Sequence, residues 1–321
     1  MIPRITALFH DHIDGSAAVE EVIADLYALA GKPFPFVSTS AWKEFLADSS
    51  KTILERFDTI TSVVQSREAL IRLAYAYGVR RAKEGYEYVE GKFAPQYHTR
   101  GGLTLRQVAD AVFDGLRRAE REHKIKCVPV ICIGREADEL TGIAIANIAC
   151  EYGGEMVLDM VSDEPGNPPE KHRAAYEATF GTSVKRDCHA GEWVSGEPRP
   201  SYLARLSKNI ETALYTLKCD SIGHAIPLGA NPDLVKYVVD RGIRVTGCPL
   251  SNLTLGHIRD VRELHINYLL DSGVCYTLNP DDDLFLPPMN KVLEECDRRY
   301  RFTKTQCRVL EENARKGRLI K

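Results

Sequence analysis

Residues 5–16 read ITALFHDHIDGS. The first five are apolar or β-branched and suit a buried strand over 5–9. His10 and His12 follow at alternate positions, so the end of such a strand presents both imidazoles on one face. Seven further β-rich runs follow: YEYVEGKF (86–93), KCVPVICI (126–133), EMVLDMV (155–161), VKRDCHA (184–190), DSIGHA (220–225), IRVTGCPL (243–250) and VCYTLN (274–279). Most are separated by segments with helical period. Val19, Val22, Ile23, Leu26 and Ala30 share one helix face, and Gly31 stops that helix. Thr104 and Gln107 form a capping-box pair ahead of Val108, Val112 and Leu116. Leu206, Ile210, Leu214 and Leu217 are in helical register over 205–218.

Strands that alternate with helices imply parallel pairing, because a parallel crossover needs a helix-sized connection. Eight such units predict an α/β fold, a (β/α)8 TIM-like barrel, with a doubly wound open sheet as the alternative. The stretch 14–85 is too long for one crossover helix, so extra helices are expected there after strand 1. Residues 284–321 are expected to form C-terminal helices. No repeat or interdomain linker is visible, and 1–321 reads as a single barrel domain. PGNPPEKH (165–172) reads as a loop after strand 4.

Apolar residues make up 44% of the 321 and charged residues 27%, as in ordinary globular chains. A net charge of −3 without a basic run gives no footprint for nucleic acid. No apolar run approaches the roughly 18 residues of a membrane span, and no leader-like apolar segment opens the chain. The nine cysteines are scattered without a C-x-x-C pair, which suits reduced thiols. A cytoplasmic location is expected, and the sequon at Asn252-Leu253-Thr254 is read as silent.

In a barrel, chemistry gathers where strands end. Strand 1 ends in His10-Asp11-His12-Ile13-Asp14-Gly15, strand 5 in His189-Ala190-Gly191-Glu192, strand 6 in Gly223-His224, and strand 8 in Asp281-Asp282-Asp283. His10, His12, His189 and Asp281 make three imidazoles and one carboxylate. That set fits Zn²⁺, or Fe²⁺ or Co²⁺, and leaves a position for water. His224 then suits a base that aims the water, and Glu192 an acid raised by burial. Asp282 must point away from its neighbour and suits a grip on a ring nitrogen. His98, His123, His172, His257 and His265 read as structural, and Cys188 and Cys248 as packing residues; Trp193 lines the pocket or covers it. H-E-x-x-H, the Cys-ligated deaminase signature, and the P-loop, dinucleotide and nucleophile-elbow motifs are all absent.

The pattern resembles the adenosine deaminases and their aminopurine-deaminase relatives over most of the chain. The carrying stretches are HDHIDGS (10–16), ALIRLAYAYGVRRAKEGYEYVEGKFAP (69–95), HAGE (189–192), IGHA (222–225), CPLSN (248–252) and LNPDDD (278–283). The resemblance implies the same metal-dependent barrel and hydroxide attack on purine C6 with loss of ammonia. It implies metal ligation by His10, His12, His189 and Asp281, protonation of N1 by Glu192, and orientation of hydroxide by His224. It also implies contact of Asp282 with N7 and of Asp14 with a ribose 5′-hydroxyl, with His12 and Ser162 along the substrate. Three positions depart from the family pattern. Ser162 stands where adenosine deaminases carry the glycine that meets N3, Glu90-Gly91-Lys92 replaces E-x-R, and Pro280 precedes Asp281. Ser162 with GNPPEK looks like the adenine-deaminase branch, while Asp14-Gly15 and Gly223-His224 follow the nucleoside enzymes. The expected substrate is adenosine or a close purine nucleoside, with adenine or a modified 6-aminopurine as the alternative. Rivals are a two-metal barrel hydrolase bridged by a carboxylated lysine, for which Lys92 and Lys185 stand near strand ends, and a non-catalytic binding protein.

Overall fold

A computed structural model describes residues 2–48, 50–193 and 199–321. Among these residues nine strand segments are all parallel: β1 Ala7–His12, β2 Tyr88–Phe93, β3 Lys126–Gly134, β4 Val157–Val161, β5 Lys185–Arg186, β6 His189–Ala190, β7 Ser221–His224, β8 Arg244–Gly247 and β9 Cys275–Leu278. They pair in the order β1-β2-β3-β4-β5 and β6-β7-β8-β9. The fifth strand expected over 184–190 is thus two short pieces broken at Asp187-Cys188. The break is bridged: Asp187 N–H donates to the Leu158 carbonyl at 2.7 Å, and Gly223 N–H to the Cys188 carbonyl at 2.8 Å. At the other seam Asp11 bridges Asp281, with His12 N–H to Asp281 O and Asp281 N–H to His10 O both at 3.2 Å. These bonds join the two sheets edge to edge into the (β/α)8 barrel, not the open sheet.

The first strand runs on through both histidines instead of ending before them. Its pairing with β2 slips between Leu8 and Asp11. There the Asn279 side-chain oxygen accepts the Phe9 and His10 N–H groups at 2.9 and 3.1 Å, standing in for a backbone partner. Both strand faces are buried, as parallel sheets require. Ala7 and Phe9 of β1 pack with Val128, Val130 and Cys132 of β3, while Leu8 packs with Cys127, Ile131 and Ile133 in the larger core.

Between β1 and β2 lie α1 Asp14–Ala17, α2 Glu20–Leu29, α3 Thr39–Ala47, α4 Ile53–Thr61 and α5 Arg67–Lys83. These are the extra helices the sequence predicts. Then come α6 Leu105–Glu122, α7 Glu139–Tyr152, α8 Arg173–Glu177, α9 Arg199–Glu211, α10 Pro232–Arg241, α11 Pro249–Thr254 and α12 Ile266–Asp271, with α13 Met289–Tyr300 and α14 Lys304–Lys316 after β9. The Thr104–Gln107 capping box forms as read, and a π turn at Thr212–Thr216 continues α9. Among the described residues no helix is long and apolar enough to cross a membrane.

Buried charge ties the helices to the barrel. Arg81 of α5 holds Asp11 through Nε and Nη2, each at 2.7 Å, and Asp283 through Nη1 at 2.9 Å. Inside the barrel Arg244 grips both Glu90 oxygens, at 2.8 and 2.6 Å. Such pairs leave little net stability, yet breaking one strands a charge and costs several kcal/mol.

Candidate metal centre and active site

The expected residues meet at one end of the barrel. His10 and His12 come from β1, His189 from β6, His224 from the last position of β7, and Asp281 from just beyond β9. Metal-capable atoms of His10, His12 and His189 lie within 4.8 Å of one another. Asp281 Oδ1 is 3.3 Å from His12 Nε2 and 3.6 Å from His10 Nε2. All four side chains are buried or nearly so.

His10 and His189 are held from behind through Nδ1, which turns Nε2 inward. His10 Nδ1 lies 3.0 Å from Thr246 Oγ1, and its buried Nε2 has no partner. His189 Nδ1 faces the Asp159 carboxylate at 3.1 Å. A carboxylate only accepts, so Nδ1 carries the proton and Nε2 presents a lone pair. That Nε2 lies 3.3 Å from His12 Nε2. Two inward nitrogens so close need a proton or a cation between them. Burial pushes His189 down to about 4 and His10 well below the ordinary value. For His12, burial is outweighed by the Asp282 and Asp281 carboxylates, which push it up to about 9. The inward nitrogens converge on a place for a cation, and the orphaned His10 Nε2 points to a metal ion there. Three imidazoles and a carboxylate suit Zn²⁺.

Around this point stand groups that are not needed as ligands. His224 Nδ1 is 2.9 Å from the Asn252 side-chain oxygen, and its buried Nε2 is without a partner, 3.7 Å from Glu192 Oε2. Burial pushes Glu192 up to about 7. Burial likewise raises Asp282 well above the carboxylate range, and its Oδ1 has no partner. The three consecutive aspartates therefore divide: Asp281 faces the histidines, Asp282 the cavity, and Asp283 the guanidiniums of Arg80 and Arg81. A cavity of about 960 Å³ opens here, and Asp14, Ser162, Glu192, His224 and Asp282 line it with His12. Ser162 sits at φ +80°, a left-handed conformation that favours glycine.

Of the histidines read as structural, His257 belongs to the cavity wall and His98 stands behind it, against Asp14. His98 Nε2 pairs with Asp14 at 3.2 Å, and its Nδ1 meets the Val64 carbonyl at 2.8 Å. The His257 ring stacks on Trp193, with centroids 5.4 Å apart, and both line the cavity. Cys248 lies beside His10, His224 and Asp281, but burial pushes its thiol well up, so it packs as a neutral group. Lys92 is wholly buried, its ammonium 2.5 Å from Asp159 and 2.8 Å from Asp187. It supports the carboxylate behind His189, and the lysine-bridged two-metal reading has no free amine there.

Residues 5–321 match the family model described as adenosine deaminase. The chain belongs to the adenosine deaminase family. It is accordingly a hydrolytic aminohydrolase. Similar members include an adenosine deaminase of Clostridium acetobutylicum, 28% identical over 88% of this chain and 82% of its own. An adenine deaminase of Chlorobium phaeobacteroides is 29% identical over 87% and 80%. The fold matches a solved adenine deaminase from Arthrobacter aurescens with a TM-score of 0.81 at 23% identity, covering 97% and 92% of the two chains. It also matches a Burkholderia ambifaria amidohydrolase with bound Zn, with a TM-score of 0.82 at 21% identity, covering 100% and 86%.

The sequence foresaw none of the supporting groups. Asp159 lies in the same stretch as Ser162, and no spacing ties it to His189. Thr246 is a common polar residue without a distinguishing pattern, and Asn252 closes the CPLSN stretch with no sign in the spacing that it holds His224.

Proposed function

We propose that this deaminase hydrolyses a 6-aminopurine at C6, with adenosine as the first candidate substrate. His10, His12, His189 and Asp281 would hold Zn²⁺. When bound there, the ion supplies a nucleophile at neutral pH by lowering the pKa of its water from about 15.7 to about 7.

The observation that carries the reading is a pair of buried acids, Glu192 and Asp282, that line the cavity beside the imidazole cluster and are both raised by burial. Purine N1 and N7 flank C6 and are both hydrogen-bond acceptors, so each needs a donor. Asp282, raised well above its usual range by burial, would donate to N7 in its acid form. Glu192, at about 7, can give its proton to N1 as the C6–N1 bond loses double-bond character. His224 has its Nδ1 occupied by Asn252, which leaves Nε2 to aim the incoming water and hold its proton. The C6–N bond then breaks: the amino group takes one proton of the water and leaves as ammonia, the other restores the proton Glu192 gave to N1, and C6 keeps the oxygen as a carbonyl.

Beyond the base, a cavity of about 960 Å³ has room for a ribose, and Asp14 on its wall keeps Oδ1 free while His98 binds Oδ2. Adenine is the second reading, favoured by Ser162, whose side chain occupies the edge where the nucleoside enzymes have none.

The test is a screen of metal-loaded protein against adenosine, 2′-deoxyadenosine, adenine and N6-modified purines, followed by the ultraviolet change and ammonia release. Chelation should abolish turnover and Zn²⁺ restore it. No ammonia from any of these substrates would sink the reading. If Asp14 binds ribose, Asp14→Ala should harm adenosine turnover far more than adenine turnover.

A further inference from the structure

Glu164 follows β4 and is 2% exposed, and the mechanism above leaves it unused. Its Oε1 accepts the Gly191 N–H at 2.8 Å and the Asn209 side-chain amide at 2.8 Å. Its Oε2 accepts the Glu192 N–H at 2.8 Å and the Trp193 N–H at 3.0 Å. Three successive backbone N–H groups thus converge on one carboxylate. Gly191, at φ +77°, supplies the left-handed turn that lets consecutive amides form such an anion-binding concavity. The anion here is the protein's own side chain.

We infer that Glu164 is the positioning residue for Glu192: it clamps the backbone of 191–193 so that the Glu192 carboxyl meets the base. The inference rests on the role proposed above for Glu192. With four donors, the Glu164 carboxylate has no capacity left for substrate, so it acts only through the segment it holds. Charged acceptors make hydrogen bonds about twice as strong as neutral ones, and this one holds the backbone on both sides of Glu192. Without it, the three N–H groups lose their acceptor, and the turn is held only through its carbonyls, by the Ala225 and Ile226 N–H groups on Ala190 and Gly191 and by the Tyr202 hydroxyl on Glu192. Its negative charge also opposes ionisation of Glu192, which keeps the acid form available.

Glutamine cannot copy the clamp. It offers one oxygen where two are used, so at least one backbone N–H loses its acceptor. Misplacing a reacting group by about 1 Å can cost about 100-fold in rate. We therefore expect Glu164→Ala to lower kcat by about 100-fold and Glu164→Gln by about 10-fold. KM should stay within about threefold, and bound metal per chain should be unchanged. In a Glu192→Gln background, Glu164→Ala should lower kcat little further, because a residue acting through another adds nothing once that one is gone. Asn209→Ala, which removes only the fourth donor, should be the mildest. The inference is overturned if Glu164→Gln keeps kcat within twofold, or if metal and KM change along with kcat. It is also overturned if the penalty persists in full without Glu192. Should Glu164→Ala fail to fold, the Gln and Asn209 variants still decide. Wild-type activity in Glu192→Gln alone would instead strike the parent reading.

Discussion

Gly15→Ala is the most direct test of the cavity's geometry. A Cβ built on Gly15, in α1, would lie 1.8 Å from Asp282 Oδ1, 2.6 Å from its Cγ and 2.8 Å from its Cβ. Non-bonded heavy atoms settle at about 3.5 Å, so the carboxyl must retreat by about 1.5 Å. Oδ1 has no hydrogen-bond partner to hold it, so the carboxyl is the first part to move. A displacement of that size removes the donor aimed at N7 and should lower kcat/KM by about 100-fold. Overpacking should cost about 1–3 kcal/mol of stability. Helix propensity alone would favour alanine by up to about 1 kcal/mol, so a loss is not what the backbone predicts. The assay is steady-state deamination of the preferred purine, with metal content and a thermal melt alongside. Adding Gly15→Ala to Asp282→Ala should cost little further activity. Wild-type kcat/KM in Gly15→Ala would refute the contact and with it the placement of Asp282.

Three other outcomes follow from the same geometry. Asp159→Asn removes the carboxylate behind His189 and should weaken metal binding by about 10–100-fold, read by competition with a chromogenic chelator. With Glu192 pushed up to about 7, its acid form is lost as pH rises, so kcat/KM should fall above that point; a bound cation favours the carboxylate and draws the limb lower. A rate independent of pH between about 5 and 9 would count against Glu192 as the proton donor. Glu90→Ala strands the buried Arg244 guanidinium and should cost about 3–5 kcal/mol in denaturant unfolding, while the surviving folded, metal-loaded enzyme keeps its kcat.

How much was legible in the chain follows from which forces are local. Apolar runs, helical spacing and the Thr104 cap depend on neighbours in sequence, so the barrel and its inserted helices could be read directly. Parallel strands place their C-terminal ends together, and that rule alone collected His10, His12, His189, His224, Asp281 and Asp282. What lay behind those residues depends on pairs far apart in the chain. Asp159 with His189, Asn252 with His224, His98 with Asp14, and Glu164 with three amides have no spacing signature. Only packing brings them within hydrogen-bond reach. The three aspartates at 281–283 make the point most plainly. As sequence they are one acidic triplet; in the folded barrel, burial and nearby cations turn them into a partner of the histidines, a cavity-facing acid raised by burial and an anchor for α5.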